Sequence, residues 1–305
     1  MKGAAAPMPR WLAVGLLLLV ATIFAGNHIA ARLAFDHGVS VVTAVAVRSG
    51  VTAIVVLLFL RATGVPLVVD RRTAGRAVIV GLLLSVQSYG LYTAVALIPV
   101  ALALLTFNTF PFLLALLSWV TGGARPGRYT LVAMLVALFG LSLALDVAGR
   151  VAVDGEVGFA ARWATIGAGV AHALVASLAF ACVLYLTTRW LAALEPRLRT
   201  VLTMSVVSVV TLGAGLVGGG LALPAQPLAW TGLVLLTILY GTAFTMMFAI
   251  LPRIGAVDNA ALLNFEPIAS LGLAWLFLGQ AVAPIQVFGA LVVIGAVMAI
   301  GMRRG

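Results

Sequence analysis

Between positions 11 and 302 the chain is a succession of apolar runs, most about twenty residues long, separated by short polar turns. No other feature constrains its fold as much. A run of that length matches the hydrocarbon thickness of a bilayer, where backbone N–H and C=O groups must be satisfied within the segment, and an α-helix does this. Ten runs qualify: 11–35, 40–60, 76–98, 100–120, 129–146, 164–188, 198–221, 228–251, 257–278 and 284–302. Only 9% of the residues are charged, against about 25% in a soluble domain. The expected fold is therefore an all-α integral membrane protein of ten transmembrane helices, with no soluble domain left over. The longest outer loop, 147–163, divides it into halves of 1–150 and 151–305.

The net charge of +10 would suggest a nucleic-acid partner in a soluble protein. Here it follows from the collection of basic residues in cytoplasmic loops. With the N-terminus inside, the inner loops and termini hold fourteen of the 18 Lys and Arg residues. The outer side holds Arg32, Arg150 and Arg162, and Arg48 lies within a span. Both termini are expected to be cytoplasmic. Lys2 and Arg10 ahead of the first run superficially resemble a signal peptide, but that apolar core is too long and is needed as the first span. Lys2 is the only lysine, a compositional hint of a GC-rich bacterial genome and hence of the bacterial inner membrane.

Cys182 is the only cysteine, so no internal disulfide can form, and His28, His37 and His172 are scattered. No His-Glu-x-x-His pattern or nucleophile–base arrangement is visible. We therefore expect no enzyme activity, no metal and no cofactor, with proton coupling left open. The expected partners are a small-molecule solute and the lipid bilayer, not nucleic acid.

Residues 264–275 read Asn-Phe-Glu-Pro-Ile-Ala-Ser-Leu-Gly-Leu-Ala-Trp, and residues 108–119, lying 156 positions upstream, read Asn-Thr-Phe-Pro-Phe-Leu-Leu-Ala-Leu-Leu-Ser-Trp. Asn, Pro, Leu and Trp coincide without a gap, and Phe110 stands where the second copy has Glu266. At the same offset Phe24-Ala25 matches Phe180-Ala181, and with a small gap Tyr89-Gly90 matches Tyr240-Gly241. Two repeats of five spans must enter the membrane from opposite sides, so the halves are expected to be inverted.

Polar residues inside spans generally face a cavity or another helix. The first span carries Asn27, His28 and Arg32, and the second carries Arg48, for which pairing with a carboxylate and contact with a solute weigh equally. In the third, Ser85, Ser88, Tyr89 and Tyr92 follow helical spacing, and Thr237, Tyr240, Gly241 and Thr245 repeat the pattern in the eighth. The fourth has Phe107, Asn108 and Pro111, the sixth His172, Ser177 and Phe180, and the ninth Asn259, Asn264, Glu266 and Pro267. Each proline frees a carbonyl one turn upstream. Spans one, three, four, six, eight and nine are the expected cavity walls. The glycines of spans five, seven and ten suit close helix packing or a weak dimer contact.

Ten spans, a five-span repeat, a proline-centred fourth span and the Glu-Pro of the ninth resemble the EamA-type drug/metabolite transporter superfamily over essentially the whole chain. Within it the chain is most similar to the YddG-type exporters of aromatic and other neutral amino acids. It departs from the family where spans four and nine often end in Gly-Glu, for here they run into Gly122-Gly123 and Gly279-Gln280. The resemblance implies an alternating-access exporter with a central cavity. Tyr89, Tyr92, Phe107, Phe180 and Tyr240 would contact the solute's apolar body. Asn27, His28, Ser88, Asn108, His172, Asn264 and Glu266 would supply polar contacts, and Pro111, Pro267 and Arg48 would serve structure or gating. Glu266 could hold an ammonium group, carry a proton or pair with Arg48. The alternative reading is broad efflux of aromatic cations or nucleobase-like compounds.

Overall fold

The computed structural model describes residues 10–64, 66–122, 127–128, 132, 135–136, 139–140, 143, 147–254, 265–279 and 283–303. Its helices are α1 (Arg10–Asp36), α2 (Val41–Ala62), α3 (Arg71–Leu97), α4 (Val100–Phe107), α5 (Phe110–Val120), α6 (Val147–Trp190), α7 (Pro196–Gly218), α8 (Pro227–Ile254), α9 (Glu266–Leu278) and α10 (Pro284–Arg303). Among the described residues six segments are long and apolar enough to cross a membrane, α4 and α5 forming one of them together. Most of the expected fifth span and the first part of the ninth lie outside the described residues.

Polar punctuation sets the helix ends. Ser40 Oγ accepts from the Thr43 N–H at the start of α2 (3.2 Å), and Asp70 does the same for Thr73 at the start of α3 (3.0 Å). Glu195 caps α7 by accepting from the Leu198 N–H (2.8 Å). Burial pushes its carboxyl up, but the Arg197 side chain and that N–H outweigh burial and hold it below the usual carboxylate range. α7 and α9 end in Gly219 and Gly279, which take left-handed φ values of 64° and 61° and so close the last turn without a Cβ clash.

One expectation needs correction. Residues 147–163 are not a loop: α6 begins at Val147 and runs for 44 residues. That stretch contains no proline, so nothing in the backbone stops the helix at the membrane boundary. The fourth span, expected as a helix broken by its proline, is two helices that meet at Asn108 and Thr109. Pro111 has no N–H to give to Phe107, and two side chains take up the disturbed turn. Asn108 Nδ2 donates to Leu104 O (2.8 Å) and Thr109 Oγ1 donates to Thr106 O (2.8 Å).

The most extensive helix contacts join α3 to α6, α1 to α8, and α2 to α7. Exchanging the first span with the sixth, the second with the seventh and the third with the eighth turns α1/α8 into α6/α3 and returns α2/α7 to itself. Small residues make the paired interfaces close. A Cβ on Gly90 would lie 2.9 Å from His172 O of α6, and one on Gly232 would lie 2.7 Å from Ala34 N of α1. Gly140 packs in the same way against Gly289 O and Val292 of α10, whereas a Cβ at Gly213 or Gly295 would meet nothing within 4 Å.

Gly232→Val should therefore destabilise the bundle by about 1–3 kcal/mol, the usual cost of forcing extra volume into a packed contact. Gly213→Ala should fall within about 0.5 kcal/mol of the parent. Thermal unfolding of the purified protein in detergent measures both, and equal effects would contradict the close α1/α8 approach.

Candidate functional site

An arginine in an apolar bundle has no water to turn to, so the chain must supply its partners. Arg48 of α2 is 3% exposed. Its Nη1 donates to Tyr92 Oη (3.0 Å) and its Nη2 to Ser88 Oγ (3.1 Å), both on α3. The guanidinium carbon lies 3.8 Å from the ring centroid of Tyr240 and 4.7 Å from that of Tyr92, close enough for cation–π attraction from both. The bonds continue in one direction from each end. Tyr92 Oη donates to Asn27 Oδ1 (2.9 Å), and Asn27 Nδ2 donates to Leu236 O of α8 (2.6 Å). At the other end Ser88 Oγ donates to Gln87 Oε1 (3.2 Å). The network links α1, α2, α3 and α8 around one buried cation.

Next to Asn27, His28 turns its ring against Tyr92 (5.6 Å between centroids), and its Nε2 lies 3.2 Å from Glu266 Oε1. Glu266 opens α9, at the positive end of that helix's dipole. Its side chain is 21% exposed, against 8% for His28. Among the described residues Glu266 Oε2 has no partner, and Arg48 has no carboxylate within ion-pair distance. Of the three roles open to Glu266, pairing with Arg48 is thus replaced by pairing with His28. The reason is positional: Tyr92 and Ser88 hold the guanidinium on α3, while the His28 ring, packed against Tyr92, reaches the start of α9.

The remaining expected site residues divide between three places. Phe107, Phe110 and Phe180 form an aromatic trio at the α4/α5 break, with centroids 4.9–5.5 Å apart. Asn108 is buried but spends its amide on Leu104 O. Tyr89 and His172 do not join the centre. They line a separate cavity of about 720 Å³ walled mainly by α3, α6 and α7; Tyr89 shares a helix face with Tyr92, and the helices packed against α3 separate their surroundings. Thr237 and Gly241 likewise line a cavity of about 430 Å³ between α2, α7 and α8, while Tyr240 enters the network. Pro267 is buried, and its carbonyl accepts from Ser270 Oγ (2.8 Å). Asn259 and Asn264 lie outside the described residues.

Sequence reasoning missed Gln87, which ends the hydrogen-bond chain, and the contact of Thr109 Oγ1 with Ser177 Oγ (3.0 Å) between the helix break and α6. Its signal was a threonine beside Asn108, at a position the second copy fills with Phe265. The two copies nonetheless share their backbone: Thr109 has φ −72° and ψ −11°, Phe265 φ −68° and ψ −18°, and a Glu/Phe-Pro start follows each.

A family model described as the EamA-like transporter family matches residues 11–145 and, separately, 167–302. A search of curated proteins returns no match. Among solved structures 18 chains match. One of them, titled only "Crystal structure of protein", is 18% identical and covers 97% of this chain and 100% of its own, with a TM-score of 0.65. At that identity the likeness shows the fold alone.

Removing the hydroxyl of Tyr92 should orphan an acceptor on Asn27 and a donor on Arg48 while leaving the ring in place. Tyr92→Phe is expected to cost about 1–3 kcal/mol, and Tyr89→Phe, on a side chain 44% exposed, within about 0.5 kcal/mol of nothing. Thermal unfolding of the two variants side by side checks this.

Proposed function

The chain belongs to the EamA-like transporter family, so it is a multi-pass membrane transporter, and from that premise we propose that it exports aromatic and other neutral amino acids. It works in a bacterial inner membrane as ten spans in two inverted repeats, with both termini cytoplasmic, as a monomer or weak homodimer. The two separate family matches and the exchange relation between the α1/α8 and α3/α6 interfaces support the repeat. In the alternating-access scheme, rocking of the halves exposes a central cavity to each side in turn.

One observation carries the substrate class. Glu266 is a partly exposed carboxylate in an apolar bundle, with Oε1 on His28 and Oε2 unpartnered among the described residues. An ammonium group arriving there finds a charge-assisted acceptor already oriented by the imidazole and by the start of α9. The Phe107, Phe110 and Phe180 rings offer an apolar surface for the solute's side chain. A few polar groups within an apolar lining are the usual make-up of small-molecule sites.

The same carboxylate and rings would also accept a flat aromatic cation, so the rival reading is broad drug or metabolite efflux. The deciding experiment uses purified protein in proteoliposomes, a panel of labelled amino acids, and the presence or absence of a proton gradient. We expect saturable counterflow of neutral and aromatic amino acids, lowered about tenfold or more by Glu266→Gln. Absence of all amino-acid transport, with aromatic cations still moved, would overturn the assignment in favour of its rival. If Glu266→Gln transports normally, with unchanged affinity and pH dependence, then Glu266 neither binds the ammonium group nor carries a coupling proton.

A further inference from the structure

We propose that Arg48 is the receptor for a carboxylate on the transported solute, so that the site takes a zwitterion, with its ammonium group on Glu266 and its carboxylate on the guanidinium. The inference rests on the transport reading above and adds the second half of the recognition.

Arg48 is 3% exposed, and every described partner it has is neutral: two hydroxyls and two tyrosine rings. A guanidinium carries five N–H donors. Among the described residues two hydrogen bonds are formed, and Nε is buried without an acceptor. A buried charge is normally paired, because its desolvation is otherwise uncompensated. Here the paired state requires an anion that the described part of the chain does not supply.

Tyr240 and Tyr92 hold the guanidinium carbon over their rings. A cation held by its face keeps its N–H groups at the edge of the plane, and that edge matches the two oxygens of a carboxylate. Lysine, a point charge on a flexible stem, would not present the same fork.

Opposite charges in a low-dielectric interior attract strongly, yet Glu266 is held by His28 and Arg48 by Tyr92 and Ser88. The two holders, His28 and Tyr92, pack ring to ring. Two opposite charges, each held by its own side-chain partners, complement a molecule that carries both charges itself.

The test compares L-phenylalanine with phenethylamine, which keeps the ring and the ammonium group and lacks the carboxylate. In proteoliposome counterflow, the wild-type protein should prefer phenylalanine by about thirty-fold. Arg48→Gln should remove that preference, and Arg48→Lys should keep part of it. Thermal stabilisation of the wild-type protein by phenylalanine, and not by phenethylamine at the same concentration, reads the same discrimination without any variant. Equal wild-type handling of the two solutes would overturn the Arg48 assignment while leaving transport intact. So would an Arg48→Gln variant that slows both solutes by the same factor, the result a purely structural role gives. A wild-type protein that moves no amino acid at all would overturn the transport reading beneath it.

Discussion

A cation placed half way along an apolar helix must be solvated by the rest of the chain, and the centre of this bundle is organised by the way that demand is met. Arg48 recruits hydroxyls from α3, rings from α3 and α8, and through Tyr92 the amide of Asn27. Asn27 in turn ties α1 to a carbonyl of α8. Each bond adds little net stability, but each group left unpaired would cost more than its bond contributes. The network therefore specifies one arrangement of four helices. That arrangement also places His28 where its imidazole reaches Glu266.

The backbone is closer to symmetric than the chemistry. α5 and α9 begin with the same corner and a proline at the same register, and the largest helix interfaces exchange with one another. The charges do not exchange. Met204 stands at the position equivalent to Arg48 and accepts from Tyr240 Oη (3.7 Å), and Phe110 stands for Glu266. The shared backbone suits a motion common to both halves. The unshared side chains suit recognition of one solute at one place.

How much of this could be read in the sequence depended on range. Helix positions followed from apolar length, and capping residues such as Ser40, Asp70 and Glu195 act within three residues of themselves. Pro111 and Asn108 marked the break because their effect is local. The continuation of α6 through residues 147–163 was missed because Arg150, Asp154, Glu156 and Arg162 interrupt the apolar run, although no proline interrupts the helix. Partners distant in the chain were not legible. Helical spacing put Tyr89 and Tyr92 on one face, but only the packing of α6 and α8 sends one to a lateral cavity and the other to Arg48. Likewise Arg48 was the natural partner for Glu266 by charge, and His28 has it by position.

If the two halves meet functionally at His28 and Glu266, those residues act as one unit, and a double-mutant cycle measures this directly. Counterflow of a labelled amino acid would be compared in the parent, His28→Ala, Glu266→Gln and the double variant. Residues in direct contact show coupling, and distant ones add. The account predicts that the double variant transports no worse than the poorer single variant. Multiplied losses, with no coupling between the two positions, would contradict it.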